Sequence, residues 1–279
     1  MNGFLLVDKE KGFSSNDVVQ KIKKKFSFQK VGHLGTLDPD AEGLLIIAIN
    51  RATKFSQYFL NSDKSYYVEI KLGKFTTTDD ASGETIKEFD VRCSADEVKK
   101  EINNFLGESF QTPPFFSALK HKGKPLYKYA REGKLINKEP RRIKIKDIKK
   151  IVYKNTICSF EILCSKGTYI RSIARDLGKN LGCGGHMLKL KRLSQHQFNV
   201  IDAHRIEDIT LEKVIKIDNF FKDYEKLSLS EENLKIFLNG GRVILDKDIT
   251  KDFRIYSENN DFIGLGRLEN KHLKHKQLV

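Results

Sequence analysis

A short segment of the chain is dense in loop-forming and ionisable residues: Gly32-His-Leu-Gly-Thr-Leu-Asp-Pro-Asp-Ala-Glu-Gly43. Within it, Asp38 stands before a proline, which biases its backbone towards extended geometry and away from helix. An apolar run begins at Leu44, directly after the segment. This order predicts a carboxylate held in a loop at the mouth of a buried strand. Loops anchored on a rigid scaffold are favoured places for catalysis, so the chemistry predicted here is that of a catalytic carboxylate.

Two other interpretations of this segment remain open. Asp38, Asp40 and Glu42 occupy alternate positions, as calcium ligands do. The segment nevertheless lacks the length and the closing bidentate glutamate of an EF-hand loop. It can also be an ordinary polar turn with an aspartate before a proline, and spacing alone does not separate this interpretation from the catalytic one.

Two further side chains have chemistry that contrasts with their apolar neighbours. Tyr66 shares one face of a predicted strand with apolar residues, where a buried tyrosine is ordinarily a core residue with a bonded hydroxyl. Arg171 lies in the first turn of a predicted apolar helix and needs a partner, which is usually a carboxylate. Lys166-Gly-Thr168 resembles the end of a phosphate-binding loop, but the upstream glycine is missing, so no ATP site is predicted.

The elements that position these residues follow from the apolar periodicity. Continuous or alternating apolar residues predict strands at 3–7, 44–49, 65–72, 157–164 and 187–193. Helix N-caps are predicted at Ser15, at Ser94 with Glu97, and at Thr168. The three helices carry, in order, Val18, Val19, Ile22 and Phe26; Val98, Ile102, Phe105 and Leu106; and Ile170, Ile173, Ala174, Leu177 and Leu181, the last ended by Gly182.

The order of these elements predicts the fold class and the domains. Strands interrupted by helices without regular βαβ alternation favour an α+β fold over a doubly wound sheet. The length of 279 residues suits one large domain with an appended module. After about residue 225, short strands and several glycines predict a small β-rich module. We therefore expect one domain over residues 1–225 and a second over 226–279.

The charge of the chain is large and unevenly distributed. The 51 lysines and arginines against 37 acids give a net charge of +14, which favours a polyanionic partner. Residues 117–150 hold 13 of these bases and three acids, and His121, Tyr127 and Tyr129 lie among them. This pattern suits phosphate contact and base stacking, although a solvated basic helix can also carry it. Because Pro113-Pro114 breaks the chain beforehand, we interpret residues 110–150 as a basic insertion in a larger domain.

Other classes of protein are disfavoured by composition. No apolar run approaches the roughly 18 residues of a membrane span, and the N-terminal residues lack the pattern of a signal peptide. We therefore expect a soluble cytoplasmic protein. The four cysteines, which are Cys93, Cys158, Cys164 and Cys183, show neither CxxC nor zinc-finger spacing, so neither a disulfide framework nor a structural metal is predicted.

Several segments together resemble the TruB family of tRNA pseudouridine synthases. The segment 32–45 resembles the family's catalytic motif, and three others agree in order and spacing: Asp63-Lys-Ser-Tyr-Tyr67 running into Leu72-Gly73, Lys166-Gly-Thr-Tyr-Ile-Arg-Ser172, and Gly182-Cys-Gly-Gly-His186 with Leu190-Lys-Arg-Leu193. The basic insertion resembles the RNA-gripping insertion of the family in three segments, which are Pro113-Pro114, Ser117-Ala-Leu-Lys120 and Tyr127-Lys-Tyr-Ala-Arg131. The resemblance covers roughly residues 2–200.

This resemblance implies a fold and an activity. The fold is a mixed, mostly antiparallel central sheet flanked by helices, with the active site in a central cleft and a small PUA-like module at the C-terminus. The activity is isomerisation of uridine to pseudouridine at position 55 in the tRNA T loop, by base flipping, glycosidic cleavage and reattachment through C5. The partner is tRNA, contacted at its T arm and T loop. No cofactor, metal, membrane or obligate protein partner is implied, and we expect a monomer.

The resemblance also assigns roles to individual residues. Asp38 corresponds to the essential aspartate, and Arg171 to the arginine that pairs with it. Tyr66 corresponds to the tyrosine that stacks on the target base and takes part in catalysis. Residues implied in substrate binding are His33, Tyr66, Tyr169 and Leu190, together with the basic residues Lys120, Lys122, Lys124, Arg141 and Arg142 of the insertion.

Two rival functions are consistent with these motifs. One is the related synthase that depends on a box H/ACA guide RNA, which guide-free activity would exclude. The other is a tRNA-folding chaperone or binding module in which catalysis is secondary. A protein that only binds tRNA has no need of the Asp38 and Arg171 pair.

Overall fold

A ten-stranded sheet runs through most of the computed structural model, which describes residues 1–279. In chain order, the strands of this sheet and of two small hairpins are β1 (Gly3–Lys9), β2 (Val31–His33), β3 (Glu42–Ile49), β4 (Lys64–Leu72), β5 (Lys74–Thr76), β6 (Thr85–Glu88), β7 (Gly107–Gln111), β8 (Lys120–His121), β9 (Lys124–Pro125), β10 (Arg141–Lys154), β11 (Ile157–Cys164), β12 (Gly185–Gln195), β13 (Phe198–Asn199) and β14 (Ile215–Lys216). The helices are α1 (Ser15–Phe26), α2 (Ser56–Leu60), α3 (Ala95–Asn103), α4 (Leu126–Arg131), α5 (Ile170–Asn180), α6 (Ile217–Phe220) and α7 (Glu231–Leu238), with 3₁₀ turns at Asn50–Phe55, Val200–Asp202 and Leu211–Lys213.

The strand order of the large sheet is β14-β1-β3-β12-β4-β11-β10-β7, with β2 beside β3 and β13 beside β12. Every strand pair in it is antiparallel except β3 with β12, which forms a parallel seam at the centre. The mixed, mostly antiparallel sheet predicted from the family resemblance is therefore confirmed. At the seam Gly43 lies opposite Arg192 with a φ of +98°, and a Cβ there would stand 2.3 Å from the Arg192 carbonyl oxygen. Only glycine allows the two halves of the sheet to approach this closely.

The apolar core lies on both faces of the sheet, as the continuous apolar run of β3 predicts. Alternate residues Leu45, Ile47 and Ile49 join a large cluster that also includes apolar residues of α1, α3 and α5. Leu44 and the residues that alternate with it belong to a second, aromatic-rich cluster on the other face. The strand β4 is buried on one side only, because its apolar residues alternate with polar ones. Helices α1, α3 and α5 therefore flank the same face as Tyr66 and Leu190, which are predicted for the active site, whereas α2 and α6 pack on the other face.

Two of the three predicted helix caps are wrong. Helix α1 is capped by Ser14, whose side chain accepts from Asp17 N while the Asp17 carboxylate accepts from Ser14 N. Ser15 is not the cap because this reciprocal pair needs an acid three residues on. Thr168 does not cap α5 either; its hydroxyl donates to the Ser165 carbonyl at 3.0 Å and closes the preceding turn.

The start of helix α3 agrees with the prediction, but its end does not. The capping box of Ser94 and Glu97 is confirmed at the start of α3. That helix ends at Asn103, so Phe105 and Leu106 lie beyond it rather than on its face. The chain turns there because Gly107, with a φ of +98°, opens strand β7.

The basic insertion connects β7 to β10, the last two strands at one edge of the large sheet. Strands β7 and β10 pair with each other at the edge, and residues 112–140 between them carry the hairpin β8–β9 and helix α4. Residues 141–154 form strand β10 of the sheet. The part of the basic segment that stands outside the sheet is thus shorter than the expected 110–150.

A second sheet forms the C-terminal module. Its strands are β15 (Glu225–Ser228), β16 (Val243–Ile244), β17 (Lys251–Tyr256), β18 (Phe262–Glu269) and β19 (His272–Leu278), in the order β15-β17-β18-β19-β16. This confirms the predicted β-rich module, although its first strand begins one residue before the expected boundary. Leu265 of this module belongs to the aromatic-rich cluster under the large sheet, so the two units share a core.

The four cysteines are free thiols, and three of them are buried. Burial raises the pKa of Cys158 to about 12 and that of Cys164 to about 11. No group of three or more His, Cys, Asp or Glu residues stands where it could hold a metal ion. None of the helices combines the length and the apolar character that crossing a membrane requires.

Candidate active site

The side chain of Asp38 forms a two-point ion pair with Arg171. Nε and Nη2 of the guanidinium reach the two carboxylate oxygens at 2.9 and 3.2 Å. The Arg171 side chain is 7% exposed, whereas that of Asp38 is 36% exposed. We refer to the region around Asp38, Tyr66, Tyr169 and Leu190 as the cleft. Arg171 also donates to the carbonyl oxygens of Thr78 and Phe116, so its position is fixed from several sides. The expectation that a charge in the first turn of this apolar helix needs a carboxylate is confirmed.

A second carboxylate, Asp80, supports the same guanidinium. Its Oδ2 lies 3.7 Å from Arg171 Nε, while its Oδ1 accepts hydrogen bonds from the hydroxyls of Thr78 and Ser82. The neighbouring Asp79 pairs with Arg175 one helical turn further along α5. Sequence reasoning missed this segment, although two adjacent aspartates following three threonines are a visible turn signal.

Two side chains at or near the start of α1 fix the backbone around Asp38. Ser15 Oγ both donates to the carbonyl and accepts from the N–H of Leu37, at 2.9 and 2.8 Å. The ammonium of Lys9, whose side chain is fully buried, donates to the Pro39 carbonyl at 3.1 Å. Burial lowers the pKa of Lys9 to about 8. The residues on both sides of Asp38 are therefore held in place, and sequence reasoning had identified neither of these two tethers.

The other side of this loop is bound by strand β12. Arg192 donates to three carbonyl oxygens of the loop and the start of β3, and Gln195 Nε2 donates to the Leu34 carbonyl at 2.6 Å. Both side chains are buried. Arg192 was visible only as part of a family motif, because nothing in its spacing indicates that it points into the protein.

Tyr66 and Leu190 lie on neighbouring strands beneath the loop. Tyr66 is 6% exposed, and burial raises the pKa of its hydroxyl. Leu190 is 7% exposed. It belongs to the same apolar cluster as Tyr66 and as Leu37, the residue before Asp38. The structure thus brings an aromatic ring, an aliphatic wall and a carboxylate to one place.

Tyr169 joins the cleft to the base of the insertion. Its N–H donates to Gln111 Oε1 at 2.8 Å, and Gln111 Nε2 donates to its carbonyl at 3.1 Å. The Ser117 hydroxyl, in the first part of the insertion, is buried without a hydrogen-bond partner. Gln111, the last residue of β7, thereby ties the chain that leads into the insertion to the start of α5, where Arg171 lies.

His33 lies on strand β2 ahead of the loop, half-buried, with its Nδ1 enclosed and unpartnered. Burial and the charge of Arg192 lower the pKa of His33. Both causes favour the neutral form of the ring.

The basic residues of the insertion fall into two groups. Lys120, Lys122 and Arg141 are exposed and have no acidic partner. Lys124 forms an ion pair with Glu132, and Arg142 forms one with Glu108. Of these five residues, only Lys120, Lys122 and Arg141 present a charge without an acidic partner, and Lys128, Arg131 and Lys134 of the insertion are likewise exposed and form no ion pair.

The calcium interpretation of the loop is wrong. Asp40 pairs with Lys11 at the surface, 3.8 Å apart, whereas Asp38 pairs with Arg171 in the cleft. The carboxylates therefore face different cations and do not form a metal-binding group. The polar-turn interpretation is also insufficient, since an ordinary turn would not be held by buried side chains from three elements.

Comparison with known proteins gives matches along nearly the whole chain. Residues 23–170 match the family model described as TruB family pseudouridylate synthase (N terminal domain). Residues 171–229 match that of the tRNA pseudouridylate synthase B C-terminal domain, and residues 226–279 match Pseudouridine synthase II TruB, C-terminal.

Curated relatives and solved structures agree with these matches. The tRNA pseudouridine synthase B of Clostridium novyi is 41% identical over 288 residues, covering 100% of both chains. That of Blochmanniella floridana is 44% identical and covers 84% of this chain and 93% of its own. A Cbf5-Nop10-Gar1 complex and an H/ACA RNP bound to a substrate RNA align with TM-scores of 0.72 and 0.70 at 20% identity, over 99% of this chain and 84% of theirs, which shows a shared fold.

Proposed function

The chain belongs to the TruB family of tRNA pseudouridine synthases, isomerases that act on tRNA, and we propose that it modifies the uridine at position 55 of the T loop without a guide RNA. The observation that carries the proposal is the exposed edge of Asp38, held by buried Arg171 beside Tyr66. Relatives of full length named tRNA pseudouridine synthase B support tRNA as the substrate. The motifs that resemble the family support position 55 as the target.

The arrangement fits an isomerisation in which nothing is oxidised or reduced. The C1′–N1 bond of the uridine breaks, the base turns, and C5 bonds to C1′. The hydrogen on C5 leaves as a proton, and N1 gains one. We assign Asp38 as the group that faces the sugar and base during these steps and Arg171 as the group that keeps its carboxylate charged and oriented. No metal or redox cofactor is required by this balance.

Tyr66 and Leu190 are 6% and 7% exposed, so a base that stays stacked in RNA cannot reach them and the target nucleotide must be flipped out of the stack. Tyr66 offers the ring on which the flipped uracil can stack, and Leu190 with Tyr169 can line the pocket. His33 lies outside this pocket and suits contact with the loop left behind. Flipping costs a few kcal/mol, which phosphate contacts of the insertion can offset.

The insertion and the C-terminal module give the chain its own means of holding tRNA. Lys120, Lys122 and Arg141 supply exposed positive charge that has no acidic partner, and the small β-rich module adds a second surface. We propose that the chain acts on tRNA as a monomer in the cytoplasm without a protein partner, with residues 1–225 as catalytic domain and 226–279 as a PUA-like module.

The test is guide-free release of tritium. Purified protein is mixed with a T-arm stem-loop labelled with tritium at uracil C5, and release into water reports the loss of the C5 hydrogen. We expect release with this RNA alone, located at position 55, and none from a stem-loop with cytidine at that position. Release that requires an added guide RNA, or none from a well-folded substrate that binds, would overturn the proposal in favour of the guide-dependent or chaperone alternatives.

A further inference from the structure

Arg192 is a buried cation at the central seam of the sheet, and its charge has no anionic partner. Its residue surface is 2% exposed. Nη1 donates to the carbonyls of Gly35 and Leu44, both at 3.2 Å, and Nη2 donates to that of Thr36 at 2.7 Å. Nη1 also donates to Gln195 Oε1 at 3.5 Å, and Nε has no hydrogen-bond partner. None of the ion pairs in the structure includes Arg192, so its positive charge is compensated only by carbonyl and amide dipoles.

Fixing the loop does not by itself require this charge. Ser15 and Gln195 bind backbone groups of the same loop, at Leu37 and Leu34, with neutral side chains. Removing a guanidinium from water without an anionic partner is energetically costly, so an amide would tether the loop at lower cost. A buried charge retained beside a reaction site is more readily explained by charge that develops during the reaction.

The guanidinium stands next to the ring that we assign to base stacking. Arg192 and Tyr66 are directly opposite each other on β12 and β4. The guanidinium carbon is 5.7 Å from the centre of the ring. Besides Arg192, the ionisable groups that face Tyr66 are Cys164 on β11 and Asp38 in the loop. Arg192 is thus the one cation directed at this ring.

The field of Arg192 extends through the cleft. Burial lowers the pKa of Lys64 to about 8, and the charge of Arg192 contributes in the same direction. The same two causes lower the pKa of His33. At Tyr66, burial raises the pKa of the hydroxyl, and the charge of Arg192 opposes that change. Beside Tyr66, the positive charge of Arg192 therefore favours negative charge, whereas the carboxylate of Asp38 acts in the opposite direction.

Such a negative charge arises in the proposed reaction. When the C1′–N1 bond breaks, its electron pair stays with the base, and the detached uracil carries a negative charge until C5 bonds to C1′. We propose that Arg192 is a positioning residue for this step: it fixes the loop that carries Asp38 and supplies the positive charge that stabilises the uracil anion beside Tyr66. The proposal rests on the pseudouridine-forming function given above.

Arg192→Lys separates the charge from the tether. Arginine stays charged at every accessible pH, whereas an ammonium buried at this position loses its proton at a lowered pKa. Single-turnover tritium release is measured with a saturating T-arm stem-loop from about pH 6.5 to about pH 9.5. We expect the variant to remain within about tenfold of the parent chain at the acidic end and to fall about a further tenfold as pH rises.

Arg192→Met removes the charge at every pH. We expect its single-turnover rate to fall about 100-fold, with the Kd for the stem-loop within about threefold of the parent value. Arg254→Lys is the matched control, since Arg254 is a half-buried arginine of the C-terminal module that also donates to a carbonyl, that of Tyr224, and forms no ion pair. Its rate should follow the parent profile.

The outcomes are distinguishable. A constant ratio between the Arg192→Lys and parent rates across pH would overturn the charge role, because a neutral amine still donates hydrogen bonds to the loop. Equal rates for Arg192→Met and Arg192→Lys at the acidic end would do the same. If the methionine variant does not fold, the lysine profile decides alone. Absence of tritium release from the parent chain would reject the proposed function itself rather than the role of Arg192.

Discussion

The cleft and the basic insertion both depend on charge, but they hold their charges in opposite ways. In the cleft, Arg171 and Arg192 are buried, and each donates to several fixed oxygen atoms. In the insertion, Lys120 and Lys122 are exposed and unpaired. Buried, fixed charges act strongly over short distances, whereas exposed charges are screened by salt and act through counterion release.

This difference separates chemistry from affinity. A change in the cleft should alter the rate of the chemical step with little effect on tRNA binding. A change in the insertion should alter binding and its salt dependence with little effect on the step once tRNA is bound. Three pairs of variants test this separation.

The largest effect is expected for Asp38→Asn. The amide keeps the size of the side chain but cannot attack or stabilise the sugar as a carboxylate does, so tritium release should fall about 1,000-fold or more. The Kd for tRNA should stay within about threefold, because the free bases of the insertion are untouched. Asp40→Asn is the control, since Asp40 is an exposed partner of Lys11, and its activity should be unchanged. Equal losses in both variants would remove the distinction between these two aspartates.

A smaller effect is expected for Ser15→Ala, compared with Ser14→Ala. The first variant leaves the N–H and carbonyl of Leu37 unpaired and frees the loop, so the single-turnover rate should fall about tenfold. The second removes only the cap of α1 and should cost about 1 kcal/mol of stability with no change in rate. Thermal unfolding and single-turnover release measure the two quantities. An equal rate loss in both would mean that helix stability, rather than the tether, controls the loop.

The smallest effect on chemistry is expected in the insertion. Lys120→Ala with Lys122→Ala removes two free charges, so the slope of log Kd against log salt should fall by about 1.5. Lys124→Ala with Arg142→Ala removes two charges that are paired with Glu132 and Glu108, and its slope should change by less than about half as much. Rates at saturating tRNA should match the parent in both. Identical slopes for the two double variants would show that ion pairing within the protein does not alter how these basic residues contribute to tRNA binding.

Much of the fold and part of the site follow from the sequence. Five of the ten strands of the large sheet, β1, β3, β4, β11 and β12, are predicted because apolar runs and alternation are local signals, and the family resemblance supplies their arrangement. The cap predicted at Ser15 is wrong because the capping box lies one residue earlier, between Ser14 and Asp17, while the Ser15 hydroxyl binds Leu37. The cap predicted at Thr168 is wrong because its hydroxyl donates to the carbonyl of Ser165, three residues earlier. Of these bonds, only the one to Leu37 joins residues far apart in the sequence.

The candidate site likewise contains residues that the sequence indicates and residues that only the structure reveals. Asp38 is marked by its proline and by the apolar run that follows, and Arg171 by its apolar helix. Asp80 and Arg192 are not marked, because their roles depend on atoms far away in the chain, such as Arg171 for the first and Gly35 for the second.

By itself, the sequence determined a basic, α+β chain of the TruB family with a carboxylate in a loop and a concentration of charge in one insertion. These are properties of local composition, of periodicity and of motif order. Only the tertiary structure decided which lysines and arginines are free to meet tRNA and which are already paired with acids. It alone revealed the unpaired cation at the seam, because burial and ion pairing are set by the distances between residues that lie far apart in sequence.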